Sequence, residues 1–132
     1  MEDFTKKILD GAYRVHSALG PGLLESAYET CLVHELKKDF NEVRSQVGLP
    51  IIYDGLNIDI GYRLDIVVDN KVLVELKSVE NILNIHKAQI LSYLKLSKIK
   101  VGLLINFNVV HLRDGIFRYA NGIRDKSTLR NV

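Results

Sequence analysis

The sequence has few of the residues that staple or anchor a chain. Of 132 residues one is cysteine (Cys31), two are proline, one is methionine and none is tryptophan. A single cysteine forms no internal disulfide and supplies too few thiols for a cysteine-based zinc site. Cys31 is expected to be a small buried hydrophobe. Such cysteine usage suits a reducing interior, so a cytoplasmic location is expected. No apolar run approaches the roughly 20 residues of a membrane-spanning helix. The acidic start, Met1-Glu2-Asp3, lacks the basic-then-apolar pattern of a secretory signal, and no membrane partner is expected. An excess of one charge is missing too: 18 Lys and Arg against 16 Asp and Glu leave a net charge of +2. That excludes a protein that grips nucleic acid by bulk charge, but not one with a local basic patch. Repeats, low-complexity tracts and linkers are absent, and a single domain over residues 1–132 is expected.

What is present is a globular composition, 47% hydrophobic and 26% charged. Ile8, Ala12, Val15 and Leu19 recur at helical spacing, which predicts a helix from residue 3 to about 19. Gly20-Pro21-Gly22 breaks the chain. A second helix is predicted to about Lys38, with Leu24, Tyr28, Cys31, Leu32 and Leu36 on its apolar face. Glu25 and Glu29 lie near its start, where the helix dipole favours negative charge.

After Asn41 the period changes to two. A strand is predicted over 47–53, a turn at Asp54-Gly55, and a long alternating strand over 58–69. Ile58, Ile60, Tyr62, Leu64, Ile66 and Val68 take one of its faces. The next strand alternates Val72, Val74 and Leu76 with Leu73, Glu75 and Lys77, after a hairpin turn at Asp69-Asn70-Lys71. A helix is predicted over 84–97 on Ile85, Ala88, Leu91 and Leu94, then a strand over 101–107 covered on both faces. A second hairpin is predicted around Asp114-Gly115, and a polar, fraying tail over 121–132. This order predicts an α/β fold, one mixed central sheet flanked by helices.

The hairpin register follows from keeping the apolar residues on one face. Pairing Val68 with Val72 puts Ile66 opposite Val74 and Leu64 opposite Leu76. On the other face it sets Asp65 opposite Glu75 and Arg63 opposite Lys77. A shift of two residues would place the acids diagonally instead. Opposed residues have Cβ atoms about 4.5–5.5 Å apart. Carboxylates that close repel unless one holds its proton or a cation lies between them. A hard divalent ion, Mg²⁺ first, accepts such oxygens and keeps waters for reaction. Lys77 could orient such a water and offset phosphate charge, a geometry suited to metal-assisted phosphodiester hydrolysis. Glu-x-Lys alone arises readily by chance, and an outer sheet face is often simply wet.

His86, Gln89 and Tyr93 form a polar stripe on the following helix and could line the same cleft. Glu25 is a candidate third acid. Lysines and arginines including Arg63, Lys71, Lys87 and Lys95 could hold a phosphate backbone. His16 and His34 have no metal-ligand spacing and read as surface or satisfied histidines, and His111 as a strand residue.

Taken together, these residues resemble a known family. Gly22-Leu-Leu-Glu25-Ser-Ala-Tyr28 fits the pattern that names the GxxExxY family. Asp65 followed by Glu75-Leu76-Lys77 resembles the core of the PD-(D/E)xK nuclease superfamily, with leucine where the written motif has proline. Gln89-Ile-Leu-Ser-Tyr93 is similar to the QxxxY motif of its exonuclease-like branch. The resemblance runs from about Ile8 to Tyr119 and implies a restriction-endonuclease-like αβββαβ core. It implies that Asp65, Glu75, the Leu76 carbonyl and Glu25 bind Mg²⁺ or Mn²⁺, with Lys77 positioning the attacking water. It implies that Gln89 and Tyr93 contact nucleic acid, DNA before RNA; His86, Tyr28, Arg63 and Lys87 are further candidates. One bound divalent ion would raise the formal charge from +2 to +4, with the added charge in the cleft. A non-catalytic nucleic-acid-binding or scaffold module with the same fold is the alternative, and a homodimer that completes the binding surface is a further possibility.

Overall fold

A computed structural model of the chain describes residues 1–121. The tail expected to fray thus lies outside the described residues, apart from Asn121. Two helices come first, α1 over Glu2–Leu19 and α2 over Glu25–Leu36. Strands β1 (Val43–Gly48), β2 (Ile51–Tyr53), β3 (Leu56–Ile58), β4 (Arg63–Val68) and β5 (Val72–Lys77) follow. Helix α3 (Asn84–Ser97), strand β6 (Val101–Asn106), a 3₁₀ turn (Leu112–Gly115) and strand β7 (Ile116–Ala120) complete the described chain.

Five strands form one mixed sheet in the order β1-β4-β5-β6-β7. Only β5 and β6 run parallel, because α3 carries the chain back across the sheet between them. The β2–β3 pair is a separate small hairpin turned at Asp54-Gly55, both at positive φ (51° and 76°) as this turn requires.

Each face of the sheet has its own apolar core. Ile8, Ala12 and Val15 of α1 join Tyr28, Leu32 and Leu36 of α2 against Ile66, Val68, Val74 and Leu103. Across the sheet, Ile90, Tyr93 and Leu94 of α3 pack on Leu64, Val67, Leu73 and Leu104. The close approach of α3 requires Gly102, where an added Cβ would lie 2.9 Å from Leu94 and 3.1 Å from Ile90. The wet outer face considered for β4 and β5 is therefore covered.

Several sequence expectations are corrected. The strand expected over 47–53 is two strands, interrupted at Leu49-Pro50; proline cannot donate to a ladder. The strand expected over 58–69 breaks before β4, with Gly61 at φ 87°. Leu64 faces the α3 core while Ile66 faces the α1–α2 core, so the even-numbered face does not persist along β4. Residues 109–111 form no strand, and β7 pairs with β6 rather than closing a second hairpin. On α3 the buried stripe is Ile90, Tyr93 and Leu94, whereas Ile85 is 68% exposed.

Candidate functional site

The β4–β5 ladder runs from the pair Val68–Val72 to the pair Ile66–Val74, the expected register. Side chains then take over from the backbone. The Asp65 N–H donates to Glu75 Oε2 at 2.7 Å, and the Leu76 N–H donates to Asp65 Oδ2 at 2.8 Å. The further pairing expected of Leu64 with Leu76 and of Arg63 with Lys77 is absent, because the two carboxylates occupy the place of the ladder.

Glu75 is only 5% exposed. Burial, and then the charge of Asp65, push its carboxyl up to about 8, against the Asp65 N–H and the Lys77 charge, which lower it. Burial likewise raises Asp65, opposed by the Leu76 N–H, the charge of Lys77 and a hydrogen bond from Gln46. Lys77 is thus the cation that both acids feel.

Gln46 was not foreseen. It sits in β1 at φ 53°, a left-handed conformation uncommon for a residue other than glycine. Its amide Nε2 donates to both carboxylate oxygens of Glu29, at 2.9 and 3.0 Å, and the same side chain hydrogen-bonds Asp65. From sequence alone Glu29 has only the place of a helix-dipole partner. Burial raises its carboxyl, Gln46 lowers it, and the charges of Asp65 and Glu25 raise it further. The charge of Glu29 in turn reaches Glu75. The α2 acid coupled to the pair is therefore Glu29. Glu25 is exposed one turn earlier and couples to Glu29. The one sequence signal for Glu29 was its place beside Tyr28, on the edge of the buried stripe.

Among the described residues no three of His, Cys, Asp and Glu form a ready group of metal ligands. The donors brought together are Asp65 and Glu75, and the ligand set that included Glu25 is not preassembled.

Helix α3 does border this place. Tyr93 is raised by burial, then by the charges of Glu75, Tyr62 and Asp65, and is lowered by a hydrogen bond with Gln89. His86 turns to its own helix start, where Nδ1 accepts the Leu83 N–H at 3.0 Å. Arg63 is exposed at the start of β4, with its guanidinium against Gly48. Lys87 lies over the Phe117 ring, 5.1 Å from its centroid.

Two candidates are corrected. Tyr28 is fully buried, stacked on Phe107 at 4.6 Å, and offers no surface to nucleic acid. Its hydroxyl donates to the Gly20 carbonyl at 2.6 Å and accepts the Leu23 N–H at 3.1 Å, clamping the turn before α2. Lys71 stands at the closed tip of the β4–β5 hairpin over Phe4, whereas the acids lie at the open end. Cys31 is half-buried, and His16 is a satisfied histidine, its Nε2 2.8 Å from the Val109 carbonyl oxygen. His111 is exposed in a loop rather than part of a strand.

Against known families, the chain matches the PD-(D/E)XK nuclease superfamily over residues 2–119. The chain belongs to this superfamily. No curated protein and no solved structure matches it significantly. The match takes in all three helices and reaches into β7. In this PD-(D/E)XK protein the five-stranded mixed sheet with helices on both faces is the restriction-endonuclease-like fold expected from the sequence. Among the described residues no helix is long and apolar enough to cross a membrane.

Proposed function

We propose that the protein is a metal-dependent nuclease that hydrolyses phosphodiester bonds of DNA or RNA at Asp65, Glu75 and Lys77. One observation carries this reading. Two carboxylates replace the β4–β5 ladder side by side, in surroundings that raise the pKa of both, with a lysine two residues beyond Glu75. The backbone N–H groups that the pair satisfies do not offset its burial and mutual repulsion, since both acids stay raised.

The donor chemistry fits Mg²⁺ or Mn²⁺. Both acids offer hard oxygen ligands, and their mutual repulsion is what a divalent cation relieves. The N–H and C=O of an extended residue leave from the same strand edge. The Leu76 N–H goes to Asp65, so its carbonyl also faces the opening between β4 and β5. Asp65, Glu75 and the Leu76 carbonyl would hold the ion, which when bound supplies Lewis acidity and an acidified water.

The chain's own groups do the rest. The Lys77 ammonium holds the attacking water by hydrogen bonding and offsets charge gathering on the phosphate. Gln46 and Glu29 fix the orientation of Asp65. Gln89 and Tyr93 border the strand of nucleic acid, with Arg63 contributing phosphate contact. The test is cleavage of linear and circular DNA and of RNA with Mg²⁺, comparing the wild type with Glu75→Ala. Cleavage by the wild type alone supports the reading; equal cleavage by both removes Glu75 from it.

A further inference from the structure

Beside Arg63 and Lys77, the exposed side chains at the mouth of the site are aromatic and apolar. Three segment starts meet at the end of the sheet where β4 begins and β5 ends. The α2 start is tied there because Ser78 Oγ, next to Lys77, donates to the Leu23 carbonyl at 2.5 Å. There Leu24 is 77% exposed; at the α3 start Leu83 is 56% and Ile85 68% exposed. Just before β4, Ile60 is 65% and Tyr62 39% exposed. Of the cations near the α3 start, Lys87 is engaged over the Phe117 ring.

Tyr62 is the residue best placed to use this rim. Its ring makes a T-shaped contact with Tyr93, with centroids 6.2 Å apart and planes at 62°. Tyr93 also senses the charges of Glu75 and Asp65, so one tyrosine links the exposed ring to the acids. The Tyr62 carbonyl accepts the Leu49 N–H at 2.9 Å, which fixes its backbone. Tyr62 stands three residues before Asp65, at most about 10 Å of extended chain, a span of one to two nucleotides. A ring already packed on one neighbour and still 39% exposed loses little entropy when a flat ligand stacks on it.

We infer that Tyr62 is a stacking platform for an unpaired nucleobase beside the phosphate held at Asp65 and Glu75, so that the site selects single-stranded nucleic acid. A duplex presents phosphates and keeps its base faces stacked, and it calls for a basic rim. A single strand offers base faces to aromatic side chains. The inference deepens the nuclease reading and rests on it for the location of the phosphate.

The test reads binding alone, with Ca²⁺ in place of Mg²⁺ so that a hard cation occupies the acids, by anisotropy of a fluorescein-labelled oligothymidylate and of a blunt duplex of equal length. Tyr62→Ala and Tyr62→Leu should weaken oligothymidylate binding by about 10-fold, the scale of one lost base–aromatic stack, and leave duplex binding unchanged. Tyr62→Trp should retain binding, and because the chain has no other tryptophan its emission reports the site directly and should be quenched by oligothymidylate. Unchanged binding by both smaller variants, an unquenched tryptophan, or a wild type that does not bind oligothymidylate would each overturn the platform. Thermal melts identify a variant that fails to fold, in which case the Tyr62→Trp quenching decides. Tyr62-dependent binding by a protein that cleaves nothing would overturn only the hydrolytic reading; cleavage without Tyr62 dependence would overturn only the platform.

Discussion

Asp65 and Glu75 are interlocked: the backbone N–H of Asp65 is held by the Glu75 side chain, while the Asp65 side chain holds the N–H of the residue after Glu75. Neither carboxylate can leave without freeing a backbone donor from its partner. The pair is thus both the reactive centre proposed above and the continuation of the sheet by other means.

Metal-free stability should fall as pH rises. The Glu75 carboxyl is raised to about 8 in the folded protein from 4.5. Between these values the folded state binds more protons than the unfolded one, so stability is fullest below the unfolded value and is lost through about pH 8. Melting in EDTA should therefore be higher at pH 5.5 than at pH 8.5. Glu75→Gln should flatten that dependence, and a profile as steep as the wild type's would show that another group causes it.

Divalent metal should have the opposite pH preference. Mg²⁺ or Mn²⁺ binds the ionised pair, so the rise in Tm it brings should be larger at pH 8 than at pH 5.5. Asp65→Asn should remove most of the rise. Calorimetric titration at both pH values gives the same comparison without heating.

The two glutamates of α2 should separate. Glu29→Gln, which changes a group coupled to Asp65, should lower cleavage or metal affinity by about 10-fold, as loss of an outer partner of a metal ligand does. Glu25→Gln should have the smaller effect. The reverse order in a Mn²⁺ titration would make Glu25 the metal ligand of α2.

Gln46 should show a split between stability and function. Gln46→Gly suits φ 53° and should be more stable than Gln46→Ala by about 1 kcal/mol, the cost of a left-handed residue bearing a Cβ. Both variants lose the amide that joins Glu29 to Asp65 and should lose activity alike. Urea denaturation and cleavage rates measured on the same samples check the two halves.

Tyr28→Phe should destabilise by about 1–3 kcal/mol, because the Leu23 N–H and the Gly20 carbonyl lose their partner inside the fold. Its affinity for nucleic acid, measured well below its melting point, should match the wild type.

The hairpin register was legible because alternation and parity are strict in a sheet with a buried face, and Val68–Val72 and Ile66–Val74 pair as they require. The helices were legible from their stripes and from Gly20-Pro21-Gly22. Parity failed at Leu64, because the strand turns at Asp65 where side chains replace the ladder. Ile85 misled for another reason: its spacing fits a helix face that nothing covers. The meeting of Asp65 with Glu75 near Lys77 lies within a short stretch of sequence, and that juxtaposition could be read from it. Gln46 and Glu29 could not, since their meeting depends on how β1 lies between α2 and β4, and no local pattern announces a left-handed glutamine.

That glutamine has a second consequence. Among the described residues strand β1 is an outer strand of its sheet, the kind of border to which another extended chain can add. A left-handed residue in its middle breaks the straight row of donors and acceptors such a chain would copy. The same left-handed residue that joins Glu29 to Asp65 therefore also makes this border of the sheet a poorer template for another strand.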